Sequence, residues 1–372
     1  MSEMTDYIST TKENKRDSIN APGATRVSRS LSIRVSNDLS TPRDPGIPLK
    51  EENPETYYEF GEEIGRGKFA VVKMCKSKLN NERFAAKMVK YDEDTLEVTK
   101  KEHEIWKELR NPKLVRLREA FIVRKYLVFI CDHVADGRPV LQYLSELSAP
   151  TENDVATCVY ELLEALEYLH KKEIVHLDVK PGNILVTDQG TVKLIDYGDS
   201  RKIITKGGEV GEQVGTTEFI APELINFEPV MTQTDMWSVG VCTYAMLSGI
   251  SPFASEDEDE SIASITALEY RFEAEAFATV SEEAKKFIRG LLIRKTENRP
   301  SATQCLKDVW LGDELCEVRS SSHIDRLKLK VLMEDLEEQD RLEHIRATTI
   351  LRTFVQSPYD SPESESEDED ED

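Results

Sequence analysis

Residues Ile174 to Gly198 read I-V-H-L-D-V-K-P-G-N-I-L-V-T-D-Q-G-T-V-K-L-I-D-Y-G. The stretch holds H-x-D-x-K-x-x-N and, after a short apolar run, D-Y-G. Moving a phosphoryl group onto a hydroxyl calls for a carboxylate beside the nucleophile, a cation near the phosphate and oxygen ligands for magnesium. Asp178, Lys180, Asn183 and Asp196 are residue types suited to those tasks, in a workable order. One short match carries little weight alone, so the reading depends on what flanks it.

Upstream, Phe60 to Ile64 leads into Gly65-Arg66-Gly67-Lys68-Phe69-Ala70-Val71-Val72, and apolar/polar alternation resumes at Lys73 to Cys75. That pattern is strand, glycine turn, strand, whereas a dinucleotide-binding fingerprint runs strand, turn, helix. It predicts a hairpin lying over phosphates. Ala70 stands where a third glycine would be, and its methyl still lets the backbone approach a phosphate, though less freely. Within Arg83 to Val89, Lys87 sits among apolar neighbours, which is costly unless an anion meets it. Leu96 to Leu109 has helical spacing and places Glu102 within reach of Lys87. Tyr126 to Cys131 reads as a buried strand, Asp132 to Arg138 as a connector, and Thr151 to His170 as a capped helix. Downstream, Asp199 to Gly215 is polar and glycine-dotted, a mobile segment, and it runs into G-T-T-E-F-I-A-P-E over Gly215 to Glu223. Asp235 to Gly240 opens a helix apolar all round, expected at the centre of a second lobe.

The 372 residues leave room for one large domain or two ordinary ones, plus tails. A net charge of -23 argues against nucleic acid or an anionic membrane as partners, since both need a basic face. The six cysteines form no C-x-x-C pair and no zinc spacing, which fits reduced thiols in a cytoplasmic protein. Val239 to Leu247, the longest apolar run, is too short to span a bilayer. No N-terminal apolar stretch resembles a signal peptide. Residues 1–54, rich in Ser, Thr, Asn and Pro, should be disordered, with order beginning near Tyr57. Within them Arg29 to Ser32 (R-S-L-S) and Arg34 to Ser36 (R-V-S) place serines after arginines, and phosphorylation there could recruit a phosphoserine-binding adaptor.

From Tyr57 to Leu311 this ordered set resembles the eukaryotic protein kinase family, in its Ser/Thr form because lysine follows the aspartate in D-V-K-P-G-N. The resemblance implies an α+β bilobal fold: a mainly β N-lobe over 55–131, a hinge over 132–138 and a mainly α C-lobe over 139–311. It implies transfer of the ATP γ-phosphate to Ser/Thr hydroxyls of protein substrates, with ATP and Mg2+ as cofactors. By the same token Asp178 would orient the substrate hydroxyl and Lys180 steady the γ-phosphate, while Asn183 and Asp196 hold magnesium. Gly65, Gly67, Phe69 and Ala70 would cover the phosphates, and Lys87, paired with Glu102, would meet them. Val72, Ala85 and Leu185 would sandwich the adenine, the backbone of Asp132 to Val134 would hydrogen-bond its edge, and Cys131 would stand behind it. Glu223 with Arg299 resembles the family's buried ion pair, Asp235 its structural anchor, and Thr216 the residue that contacts the catalytic pair.

Closer still, the chain resembles the calmodulin-dependent group. G-R-G-K-F-A-V-V-K is similar to the death-associated kinases. H-L-D, Y-G-D-S and T-D-M-W-S-V-G-V-C-T-Y-A-M-L-S-G-I-S-P-F are similar to the titin, obscurin and Trio branch, which is favoured and adds the cytoskeleton to a cytoplasmic location. Three departures stand out. Leu177 replaces an arginine that normally meets a phosphorylated activation loop, so loop phosphorylation should not be the main switch. Tyr197 replaces the usual Phe and brings a hydroxyl that needs a partner. Arg138 and Gly182 stand where basic-directed kinases often keep glutamates, although the acidic run Glu256 to Glu260 offers negative charge from another side. The alternative is a pseudokinase scaffold or cytoskeletal interaction module. Lys87, Asp178 and Asp196 are all present, which tells against it.

Residues 312–356 form a helical extension with Leu327, Val331, Leu332, Leu336, Leu342, Ile345, Ile350 and Phe354 at helical spacing, suited to autoinhibitory docking or to a partner. Between Ile324 and Arg352 six basic residues face seven acidic ones, so calmodulin, which prefers basic amphipathic helices, is not expected. Residues 357–372 carry nine carboxylates and no Lys or Arg, an acidic disordered tail.

Overall fold

A computed structural model describes residues 46–67, 70–93, 95–203, 217–255 and 257–355, with side chains to residue 342. The serine sites of the N-terminal tail, Phe69, Thr216, most of the segment Asp199 to Gly215 and the acidic tail 357–372 lie outside the described residues.

The first lobe is a six-stranded sheet, β1 (Leu49–Lys50), β2 (Tyr58–Arg66), β3 (Ala70–Ser77), β4 (Arg83–Lys90), β5 (Leu117–Val123) and β6 (Tyr126–Asp132), in the order β1-β5-β6-β4-β3-β2. Alternation sorts its side chains onto two faces. Ala85, Val89, Phe129 and Cys131 join the main core, while Phe84, Ala86, Val128 and Ile130 form a smaller outer cluster with Tyr58 and Phe121. Helix α1 (Leu96–Trp106) packs on the inner face through Ile105 and Trp106, and the Trp106 indole N–H donates to the Val115 carbonyl at 2.8 Å.

Structure begins earlier than the composition of 1–54 suggested. Leu49 and Lys50 pair in parallel with Ala120 and Phe121 on the edge strand β5. Lys50 holds Glu119 at 3.1 Å and lies over the Tyr57 and Phe121 rings. His103 of α1 donates from Nε2 to the Ile47 carbonyl at 2.8 Å. A two-residue strand among prolines and glutamates has no periodicity to read, and it exists because an open sheet edge and a buried imidazole satisfy its backbone.

After β7 (Arg138–Pro139) the second lobe runs α2 (Val140–Glu146), α3 (Glu152–Lys171), β8 (Ile174–Val175), β9 (Ile184–Val186), β10 (Val192–Leu194) and β11 (Arg201–Lys202). Helices α4 (Pro222–Ile225), α5 (Gln233–Ser248), α6 (Glu258–Ala267), α7 (Glu282–Leu291), α8 (Ala302–Cys305), α9 (Cys316–Ser321) and α10 (Arg326–Val355) follow. Thr151 starts α3 with its backbone N–H on Asp154, and α5 is buried from Thr234 to Ser248, as its all-round apolar sequence requires. Glu223 and Arg299 form a two-pronged ion pair, 2.7 Å on each arm, with both side chains fully enclosed and the guanidinium over Trp237. Removing one partner of such a pair costs about 3–5 kcal/mol.

The C-terminal extension is part of this lobe. Arg319 donates to the Trp310 and Gly312 carbonyls, Ile324 N–H to Pro150, and Ile324, Leu329 and Leu332 enter the main core. At the end of α5, Gly249 has φ +70° and lies under α10, where a Cβ would come 2.4 Å from that of Lys328. Only glycine suits both the left-handed turn and the close approach.

Candidate active site

The first loop of the site is the hairpin of β2 and β3, closed by the Gly67 N–H on the Ala70 carbonyl at 2.9 Å, with Gly65 opposite Val72. Strand, turn, strand is what the glycine spacing predicted. Among the described residues nothing lies within 4 Å of where a Cβ on Gly67 would sit.

Beneath the hairpin, Lys87 on β4 gathers two carboxylates. Its Nζ lies 2.7 Å from Glu102 of α1 and 2.6 Å from Asp196 of the D-Y-G segment. Burial works against the Lys87 charge, and Asp196 and Glu102 overcome it, holding the ammonium well above the usual lysine range. Burial likewise works to raise Asp196, but Lys87 and the Gly198 N–H outweigh it and hold the carboxyl down at about 2. Asp196 adopts φ +64°, the left-handed region, which is uncommon outside glycine. Burial, then the charges of Asp178 and Asp196, push the neighbouring Asp199 up to about 7. The Tyr197 hydroxyl, fully buried between the Trp106 and His176 rings, finds its partner in the Leu194 carbonyl at 3.0 Å.

Asp178 stands on the loop between β8 and β9. Asn183 donates from Nδ2 to the Asp178 carboxylate at 2.6 Å and to its carbonyl at 2.9 Å, which leaves the Asn183 side-chain oxygen for other use. Asp235, at the start of α5 and fully enclosed, accepts from the His176 and Leu177 N–H groups, both at 2.9 Å, and from His170 at 2.8 Å. His176 donates from Nε2 to the Ile195 carbonyl at 3.1 Å, tying this loop to D-Y-G. Leu177 has φ +66° and packs with Val175, Ile220, Leu224 and Val230. A conformation that costs about 1–3 kcal/mol in isolation is held there by the Asp235 carboxylate and by apolar burial. The side chain in the arginine's place is therefore sealed in hydrocarbon.

The hinge-side residues are distributed as follows. Val72, Ala85, Cys131 and Val134 belong to or pack on the main cluster, and Leu185 lies on β9 opposite Pro139 and Lys193. Cys131 pairs with Ala85 across the sheet, its Sγ 3.5 Å from the Ala85 carbonyl, and burial pushes its thiol far up. The Asp132 N–H donates to the carbonyl of Arg116, just before β5, at 3.0 Å, and Asp132 stands opposite Phe84 of β4. Arg138 braces Glu146 and Asp188.

Lys180 is the point at which sequence reasoning missed a partner. Its Nζ stands 3.9 Å from Asp178 but 3.1 Å from Asp340 of α10. On the preceding residue, Gln339 donates to Glu218 at 2.9 Å. A cavity of about 70 Å³ between α10 and the lobe is lined by Pro139, Leu141, Lys180, Gly182, Met333 and Leu336 among others. The apolar spacing of the extension splits into two rows. Leu329, Leu332, Met333 and Leu336 turn inward, while Leu327, Val331 and Leu342 are exposed. Only knowledge of which row docks would have pointed to Gln339 and Asp340.

Among the described residues no cluster of three or more His, Cys, Asp or Glu is spaced for a metal, and no helix is long and apolar enough to cross a membrane. Residues 58–311 match the protein kinase domain. Over 281 residues the chain is 36% identical to mouse death-associated protein kinase 2, covering 72% of this chain and 75% of that protein. It is 35% identical over 300 residues to rabbit (Oryctolagus cuniculus) serine/threonine-protein kinase 17A, covering 78% and 74%. In three dimensions it is similar to the twitchin kinase region of C. elegans, with a TM-score of 0.72 and 30% identity over 80% of this chain. The chain spans about half, 52%, of that twitchin structure. It is also similar to the autoinhibited serine kinase domain of the giant muscle protein titin, with a TM-score of 0.67 and 30% identity over 76% of this chain and 88% of that one. Both groups that the motifs resembled are found, one by sequence and the other by shape. The chain belongs to the protein kinase family, among its serine/threonine kinases.

Proposed function

We propose that this chain phosphorylates protein serine and threonine hydroxyls through Asp178, with Lys87 and Lys180 meeting phosphate oxygens, and that α10 restrains the reaction by covering the substrate side. The observation that carries the first half is Lys87 bridging Glu102 and Asp196 while Asn183 fixes the Asp178 carboxylate. Asp178 accepts the hydroxyl proton, and the Asn183 contact aims it. The family generally uses ATP and magnesium, and the donor set fits: hard oxygens from Asp196 and Asn183 suffice for an ion that takes one or two protein carboxylates and completes its shell with phosphates and water. Magnesium held by Asp196 and Asn183 would supply positive charge against the charge that develops on the phosphate. Gly65, Gly67 and Ala70 lie along the phosphates, and Val72, Ala85, Val134 and Leu185 enclose the adenine. The carboxylate load of α10 makes calmodulin an unsuitable ligand for it.

The second half rests on Asp340 at Lys180. The titin and twitchin kinases similar in shape are described as autoinhibited and autoregulated, which supports the reading. The test is phosphate transfer by the full chain. Asp178→Asn should lower it by about 10²–10⁴-fold, and Lys87→Ala should abolish ATP-dependent transfer. Equal incorporation by both variants and the parent would exclude catalysis at this site.

A further inference from the structure

Glu102 does not secure the position of α1 by itself. Burial pushes its carboxyl above the usual glutamate range, with Lys87 pulling against that and Asp196 adding to it. Lys87 has a second carboxylate in Asp196 at 2.6 Å, so its charge keeps a partner if α1 swings away. At the end of α1 the Trp106 indole is tied to Val115. The turn that carries Glu102 needs a hold of its own.

The next residue supplies it. His103 is 4% exposed and donates from Nε2 to the Ile47 carbonyl at 2.8 Å. Its ring stacks on Phe129, with centroids 6.5 Å apart and planes at 12°, and Phe129 faces Lys87 across the β4–β6 ladder. Successive side chains on a helix diverge by about 100°, so Glu102 enters the cleft while His103 leaves toward the sheet edge. Bonds on two sides of one turn fix its rotation, which a single ion pair does not. The acceptor is anchored in its turn. Ile47 and Leu49 pack on the main core, Leu49 and Lys50 pair with Ala120 and Phe121, and Lys50 holds Glu119 at 3.1 Å. These contacts lie at the β1 edge of the sheet, outside the catalytic set.

We infer that His103 is a positioning residue for phosphoryl transfer: by gripping the Ile47 carbonyl it keeps α1 at the rotation that presents Glu102 to Lys87. The segment 46–50 is then part of the working site, although it touches no reacting atom. The inference rests on the proposed use of Lys87 for the nucleotide phosphates.

The test is steady-state phosphorylation of a serine peptide by the full chain, with ATP and peptide varied separately and melting temperatures measured alongside. Lys87→Ala as active as the parent would overturn the proposed function and this inference with it. With Lys87→Ala inactive, the His103 variants decide this inference alone. His103→Ala should lower kcat/KM for ATP about three- to tenfold, chiefly by raising KM for ATP, the range of one neutral hydrogen bond. KM for the peptide should stay nearly unchanged. His103→Gln, whose amide can still donate toward Ile47, should recover most of the loss. A purely structural role would lower the melting temperature of His103→Ala and leave KM for ATP where it was. Should His103→Ala fail to fold, Lys50→Glu unseats the segment from outside by facing Glu119 with a like charge. It should cause a loss of the same kind, and the swap Lys50→Glu with Glu119→Lys should restore the parent value. An unchanged KM for ATP in both His103→Ala and Lys50→Glu, a loss shared equally by ATP and peptide, or His103→Gln no better than His103→Ala would overturn the assignment.

Discussion

The two halves of the catalytic cleft are in different states. On the nucleotide side the parts are assembled: Lys87 holds both Glu102 and Asp196, and Asp235 fixes the backbone of the Asp178 loop. On the substrate side α10 occupies the groove, with Asp340 at Lys180 and Gln339 at Glu218. The first half centres on the buried Lys87–Glu102 pair between β4 and α1, which the partly exposed Asp196 joins. The second is covered by partly exposed polar contacts at the edge of an apolar patch, Met333 and Leu336. Buried pairs resist removal, whereas exposed ones contribute about 0–1 kcal/mol each. Control by uncovering therefore needs far less free energy than control by disassembly.

The contrast can be broken from its rigid side first. Glu102→Gln leaves Lys87 with one carboxylate and should cut kcat/KM for ATP by about ten- to a hundredfold, with peptide KM nearly unchanged in steady-state kinetics. A parallel loss in peptide KM would mean that the halves are not separable. Truncation after Leu336 removes Gln339 and Asp340 but keeps the buried Ile324, Leu329 and Leu332, so the lobe should stay folded. It should raise peptide phosphorylation by about tenfold, the effect of roughly 1.4 kcal/mol of lost cover, with KM for ATP unaltered. A cut before Arg319 would instead expose core. Gly249→Ala strains a left-handed turn and pushes on Lys328 where α10 begins. A cost of about 1 kcal/mol should appear as a melting point lowered by about 2–4 °C together with a few-fold activation.

The smallest effect concerns charge. Asp199 has its folded pKa raised to about 7, so its ionisation disfavours the fold. That penalty is absent below the usual carboxyl range, grows as pH rises and is complete above about 7. Without added magnesium, Asp199→Asn should melt higher than the parent near pH 8 and almost with it near pH 4.5, by calorimetry or fluorescence. A gain independent of pH would mean that packing, not charge, was changed.

How far these features could be read in advance depended on their chemistry. Lys87, Glu102, Asp178, Asn183 and Asp196 could be singled out because phosphoryl transfer restricts residue type and order, and the fold brings Lys87 to Glu102 and Asp196 and Asn183 to Asp178. The Glu223–Arg299 pair was expected from the family resemblance alone, and the fold forms it. Leu177 was visible as a departure, yet its enclosure by Ile220 and Leu224 was not, since contacts across the lobe leave no local pattern. In α10 the two apolar rows overlapped in the sequence, so the docked face and its polar tips Gln339 and Asp340 stayed hidden. Strand β1 escaped notice because two residues cannot show a period.

The bond from His103 to the Ile47 carbonyl adds a consequence of a different kind. His103 follows directly after Glu102, so the segment leading into β1 grips the same turn of α1 that supplies the partner of Lys87. Coupling free energies are reciprocal. If seating this segment favours the position of α1 that binds nucleotide, then nucleotide must tighten the seating of the segment by the same factor. On that condition the entry point of the kinase domain acts thermodynamically as a second ligand of its active site, attached by a peptide bond.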